Sequence, residues 1–129
     1  MQRKLLILGV VLGVLAVILG AFGAHGLKHY LTLEELNSYE TGIRYQFYHA
    51  LLALIIANTS IFSNKTKNIS FYSILTGVVL FSGSIYLLTT SSITGVSFKS
   101  IAILTPLGGV LLILSWLVLL FNLLKMRNK

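Results

Sequence analysis

The side chains that could do chemistry crowd into the first half of this chain, with His25, His49, Glu40, Arg44 and several tyrosines foremost. Glu40 and Arg44 stand four residues apart with the acid first, the favourable order for an ion pair along one helix face. Tyr48 continues that face, and Tyr45 and His49 form a second pair at the same spacing. Histidine titrates nearest neutrality, and its ring nitrogens carry protons, hold metals or bond to a neighbour. His49 borders a stripe of small residues and is expected to point at the first helix. His25, within Gly23-Ala24-His25-Gly26, is its expected neighbour there. The candidate ligand-binding set is therefore His25, Glu40, Arg44, Tyr45 and His49. Arg44 would supply charge, His49 a titrating site, and Tyr45 would orient it.

A plainer role competes for the same residues and is weighted more heavily. A neutral histidine bonded across two helices ties them together, and Arg44 can reach the surface with Glu40 as counter-ion. Two histidines and one acid show no recognisable ligand spacing. No residue is assigned a catalytic or metal-binding role, and no cofactor is implied.

These residues are positioned by elements that water could not support. Of 129 residues 56% are hydrophobic and only 10% charged, more apolar surface than a small soluble domain can hide. A bilayer removes the difficulty. The net charge of +7 does not indicate a nucleic-acid partner, because the basic residues sit at the ends of apolar runs, where a membrane protein carries them. The lack of cysteine excludes disulfides and thiol chemistry.

Four stretches, at about 5–24, 43–62, 71–88 and 101–124, are long enough to cross roughly 30 Å of hydrocarbon. The expected fold is an all-α integral membrane four-helix bundle, a single transmembrane domain over 1–129. The first stretch is read as a span rather than a signal peptide, because its uncharged run is longer than a usual signal core. Arg3, Lys4, Lys65, Lys67, Lys125, Arg127 and Lys129 fall on one side, and Lys28, Arg44 and Lys99 on the other with all three acids. This asymmetry places both termini in the cytoplasm. Between the first two spans, Thr32 and Glu35 form a capping box. It predicts a short interfacial helix from about Leu33 that turns into the second span.

Lipid offers helices no hydrophobic drive to associate, so small residues that admit close approach must hold the bundle. The expected packing positions are Gly9, Gly13, Ala16 and Gly20; Ala50, Ala53 and Ala57, with Gln46 and Gly42 continuing the stripe; Gly77; and Gly108 and Gly109. Ser73-Thr76-Gly77-Leu80-Gly83-Ser84 and Thr105-Gly108-Gly109-Leu112-Ser115-Trp116 share one spacing, read as convergent packing rather than duplication. Trp116 is read as an interface anchor or packing residue. Pro106 should bend or start the last helix, with Thr105 free to satisfy the carbonyl it releases.

At these residues the chain resembles a known family. GAFGAHGL (20–27), YETGIRYQFYHALLAL (39–54), FSGSIYLL (81–88) and TPLGGVLLILSW (105–116) are similar to the family called domain of unknown function 423, whose animal relatives are named transmembrane protein 256. The resemblance implies a small multi-pass membrane protein, in bacteria a cell-membrane one, with no established activity to carry over. Its blocks coincide with the outer polar residues His25, Glu40, Arg44 and His49.

Three functions compete. A non-enzymatic structural or accessory bundle, joined to itself or to a larger membrane complex, asks no chemistry of the sequence and is preferred. A transporter or channel subunit binding a small anion or proton in the outer-leaflet polar cluster is the first alternative. A membrane enzyme acting on a lipid or quinone is the second.

Overall fold

The computed structural model describes residues 1–126; Arg127 and Lys129, counted above on the cytoplasmic side, lie outside the described residues. The chain is all-α. Helix α1 (Gln2–His25) is followed by a single 3-10 turn (Leu27–His29) and by α2 (Leu33–Asn58). Helix α3 (Asn64–Val78) continues through a π-helical turn (Val79–Gly83) into α4 (Ser84–Thr89). A one-turn helix, α5 (Ser91–Thr94), and a 3-10 turn (Lys99–Ile101) lead to α6 (Leu104–Lys125). Among the described residues, three helical stretches are long and apolar enough to cross a membrane: Gln2–His29, Asn64–Thr89 and Lys99–Lys125.

The fourth long helix, α2, differs in character. Its capping box forms as the sequence predicts: Thr32 Oγ1 accepts from the Glu35 amide and Glu35 Oε1 accepts from the Thr32 amide, each at 3.1 Å. The helix it opens, however, is not a separate interfacial one. It runs unbroken for 26 residues, roughly 39 Å at about 1.5 Å per residue, because no proline or glycine pair interrupts the backbone ladder. The expected interfacial helix is thus the first part of α2.

The helices form two hairpins laid side by side. α1 packs chiefly on α2, and α6 chiefly on α3 and the π-helical turn; α2 also lies against α3, α4 and that turn. The main core gathers Leu5, Leu8 and Leu12 from α1, Ala53 and Ile56 from α2, Ile74 and Val78 from α3, and Leu112 and Leu119 from α6. A smaller cluster of Leu27, Leu31 and Tyr39 closes the other end. Val10, Val14, Val17, Ile55, Val110 and Ile113 face outward, the arrangement a hydrocarbon solvent permits.

Small residues fix how near the helices come. Ala16, Ala50, Ala53 and Ala57 are all buried. A Cβ on Gly9 would lie 2.6 Å from Leu54 Cδ2 on α2. At Gly108 the approach is backbone to backbone, with a Cβ falling 2.3 Å from the Phe81 amide nitrogen. Gly77 admits Leu112, whose Cδ2 would be 2.7 Å from an added Cβ. Gly20 and Gly109 are looser, meeting Ile43 Cγ2 at 3.4 Å and Phe81 Cδ2 at 3.6 Å. Gly13 differs from the expectation: nothing lies within 4 Å of a Cβ placed there. It borders an open apolar groove of about 450 Å³ between α1 and α2, lined also by Gly9, Val14, Phe47, Ala50 and Leu54.

Pro106 sits in the first turn of α6, where a missing amide donor leaves nothing unpaired, so it starts the helix. Thr105 does not turn back to its own helix; its Oγ1 shares a 2.6 Å hydrogen bond with Ser84 Oγ across the interface. At the opposite end, Lys67 is 9% exposed and its ammonium donates to the Ala57 carbonyl at 3.4 Å. That carbonyl belongs to the last turn of α2, where a cation opposes the negative end of the helix dipole.

Candidate functional site

The polar residues of α2 are sorted by helix face. Gln46 and His49, three apart, are buried at 3% exposure, while Glu40, Arg44, Tyr45 and Tyr48 lie on the exposed side. Gln46 sits at the centre of a three-helix relay. Its Nε2 donates to the Leu12 carbonyl of α1 at 2.9 Å, and its Oε1 accepts from Tyr86 Oη of α4 at 2.6 Å. Tyr39, about two turns earlier, donates to the Leu19 carbonyl at 2.6 Å, and its ring fits only because Gly23 is bare: a Cβ there would lie 2.5 Å from Tyr39 Cε1. Ser82, aimed at α2 from the π-helical turn, donates to the Gly42 carbonyl at 2.7 Å.

His49 does not face α1, and His25 is not its neighbour. His49 turns toward α6, where its Nε2 accepts from Trp116 Nε1 at 3.0 Å. Its Nδ1 donates to the Tyr45 carbonyl one turn back at 2.7 Å. A carbonyl only accepts, so Nδ1 carries the proton and the ring is a neutral acceptor at Nε2. The physical reason for the reversal is the helix phase. The face His49 shares with Gln46 is divided between neighbours, Gln46 falling between α1 and α4 and His49 in the gap between α2 and α6. The Trp116–His49 bond is the one side-chain hydrogen bond joining α2 to α6 among the described residues.

The other candidates do not converge. His25 is exposed at the end of α1. The Arg44 guanidinium donates to Thr41 Oγ1 at 3.0 Å rather than to Glu40, so the expected ion pair is not formed. Tyr45 stacks on His49, with ring centroids 6.4 Å apart, and contacts Phe81 at 5.1 Å. Glu35, outside the apolar part of α2, is held below the ordinary carboxylate value of 4.5 by the bond from the Thr32 amide, then by the Thr32 hydroxyl. Its second oxygen accepts from Ser92 at 3.1 Å, joining the α4–α6 connection to the start of α2.

Sequence reasoning missed Trp116 as the partner of His49, and the Leu12–Gln46–Tyr86 relay. The signals were present but not decisive. Trp116 lies on the same stripe as Gly109 and Leu112, and Gln46 on the stripe of Ala50 and Ala53, but a stripe does not say which helix it meets.

Among the described residues, three long apolar helices, a fourth that buries Gln46 and His49, and a largely apolar exterior define a small multi-pass membrane protein. A family model described as "Protein of unknown function (DUF423)" matches residues 19–109, and the chain belongs to this family. It is 36% identical over 128 residues to a UPF0382 membrane protein of Haemophilus influenzae, covering 99% of each chain. It is 38% identical over 123 residues to the UPF0382 membrane protein YwdK of Bacillus subtilis, covering 92% of this chain and 94% of that one. The UPF0382 inner membrane protein YgdD of Escherichia coli is 34% identical over 132 residues, covering 99% of this chain and 95% of that one. No solved structure matches.

Proposed function

We propose that the chain is a non-enzymatic accessory bundle of the cell membrane, a single domain that crosses it four times with both termini cytoplasmic. It would associate with a partner membrane helix, in the simplest case a second copy of itself. The observation that carries this reading is how its interior polar groups are spent. Gln46, Tyr86, Tyr39, Ser82 and His49 each bond to another helix, and Thr66 donates to Asn122 at 2.8 Å. Interhelical bonding of this kind is what polar residues contribute in a medium without water. Among the described residues the Ser70 hydroxyl is the buried side-chain group left without a partner, and one hydroxyl does not make a reaction centre. The lone-cluster alternative of an anion or proton site loses support because His25, Glu40 and Arg44 remain apart.

Four crossings are supported by the length of α2 and by its apolar second half, with Tyr39, Gly42 and Gln46 of the first half buried against neighbouring helices. The orientation rests on the basic residues, Arg3, Lys4, Lys65, Lys67, Lys125, Arg127 and Lys129 against Lys28, Arg44 and Lys99; the cell-membrane location rests on the name of the Escherichia coli relative, an inner membrane protein. Since the chain lacks cysteine, single substitutions Lys28→Cys and Lys65→Cys give clean labelling sites. An impermeant thiol reagent applied outside should reach the first and not the second; the reverse pattern overturns the orientation. Association is tested by cysteine cross-linking at Val14 in native membranes. Gly13→Leu should abolish it without disturbing the fold, because the added side chain enters open space. Cross-linking unchanged by Gly13→Leu overturns assembly through this groove.

A further inference from the structure

Between α2 and α6, beside the π-helical turn, lies a pocket of about 290 Å³ lined by Tyr45, His49, Phe81, Gly109, Ile113 and Trp116. Its walls are rings. Phe81 lies 5.1 Å from Tyr45 at 52°, Tyr45 stacks on His49, and Trp116 stands edge-on to His49 at 6.1 Å and 80°. Gly109 leaves the floor open, and Ile113 and Trp116 are 60% and 51% exposed on the lipid-facing edge. A π-helical turn beside a pocket is a common companion of function.

The polar atoms of the pocket restrict what can enter. Nδ1 of His49 is committed to the Tyr45 carbonyl, so Nε2 is an acceptor and nothing else. Its donor, the Trp116 indole, sits on an exposed side chain, whereas His49 is 3% exposed and held in place. A molecule entering from the bilayer displaces the indole first. It must then give Nε2 a donor, because an unpaired buried acceptor costs about 1–3 kcal/mol. A hydroxyl does this and can accept the displaced indole N–H in the same position. A carbonyl or an ether oxygen cannot donate. The ring-lined walls favour a flat aromatic body, which stacks or meets ring edges.

We propose that this pocket is a bilayer-facing binding site for the ring hydroxyl of a lipid-soluble hydroxyaromatic, of which a quinol is the membrane-borne form. His49 Nε2 accepts the hydroxyl proton's hydrogen bond and Trp116 Nε1 donates to the same oxygen. The site then distinguishes a reduced, hydroxyl-bearing ring from its oxidised, carbonyl-bearing counterpart by hydrogen bonding alone. This goes beyond the assembly reading and does not depend on it.

Trp116 is the only tryptophan, so its indole N–H resonance is unambiguous in nitrogen-labelled protein in lipid nanodiscs. The probes are para-heptylphenol, its O-methyl ether and the ring-saturated alcohol. The phenol should shift the indole resonance saturably, and the ether should bind about tenfold more weakly, as the loss of one donor to a buried acceptor implies. His49→Phe should abolish the response. So should Ile113→Phe, which narrows the pocket from its lipid side and leaves the His49–Trp116 pair of the free protein in place. A response to the ether equal to that of the phenol, or a phenol response surviving in Ile113→Phe, overturns the site. An equal response to the saturated alcohol overturns its aromatic character.

Discussion

The contact between α6 and the π-helical turn offers the sharpest test of how the bundle is held. In Gly108→Ala the new methyl carbon would lie 2.3 Å from the Phe81 nitrogen, 2.7 Å from the Leu80 carbonyl carbon and 2.8 Å from Phe81 Cα. All three are backbone atoms, so no side chain can rotate away. Relief requires the two elements to separate by about 1 Å to recover ordinary van der Waals distance. That motion strains the 2.6 Å Ser84–Thr105 bond and loosens Leu112 over Gly77. Overpacking of this kind costs about 1–3 kcal/mol, while alanine returns about 0.5–1 kcal/mol through helix propensity. The midpoints of the two ranges leave a net loss of about 1 kcal/mol, roughly a 5-fold fall in the folded-to-unfolded ratio. Gly13→Ala is the internal control: with nothing within 4 Å, only the propensity gain remains, and the variant should be as stable as the parent or more so. Reversible unfolding in mixed micelles, followed by helical circular dichroism and Trp116 emission, measures both. A Gly108→Ala protein no less stable than the parent would refute the close backbone contact.

Two further outcomes follow from the polar interior. Gln46→Leu removes two interhelical bonds and leaves Tyr86 Oη without its acceptor; with membrane hydrogen bonds worth about 0.6 kcal/mol on average, the loss should be about 1 kcal/mol. Combined with Tyr86→Phe the losses should be less than additive in the same unfolding assay, and strict additivity would show that the bond contributes nothing. At the start of α2, the Glu35 pKa is lowered in the folded state, so its carboxylate stabilises the cap at neutral pH. That contribution is complete above the unfolded value near 4.5 and disappears as pH falls through the depressed folded value. The protection of the Thr32 amide, its exchange rate relative to that of an unstructured peptide at the same pH, should fall over that acid range, and Glu35→Gln, which can still cap, should flatten the response. Protection that falls equally in the glutamine variant would count against this assignment.

The sequence alone determined the solvent and marked the long helices, though not their bounds: the stretches expected at 43–62 and 71–88 belong to helices that end at Asn58 and begin at Asn64. Apolar runs of membrane length mark α1, the α3–α4 helix and α6, and Thr32 with Glu35 marks the start of α2, because length, hydropathy and capping are properties of short stretches. The stripe of Ala50, Ala53 and Ala57 likewise announced a buried face. Only the tertiary structure decided which neighbour each face meets. His49 lies beside the small stripe, but a few tens of degrees of helix phase carry it from α1 to the gap at α6, and local spacing does not record the position of a neighbouring axis. Arg44 prefers Thr41 to Glu40, a choice between rotamers of exposed side chains that the four-residue spacing leaves open. The π-helical turn inserts one extra residue's rotation between Val78 and Ser84, aiming Ser82 at Gly42 and bringing Phe81 to the pocket wall. Against that turn Gly108 lets α6 approach backbone to backbone, a contact between residues far apart in the chain.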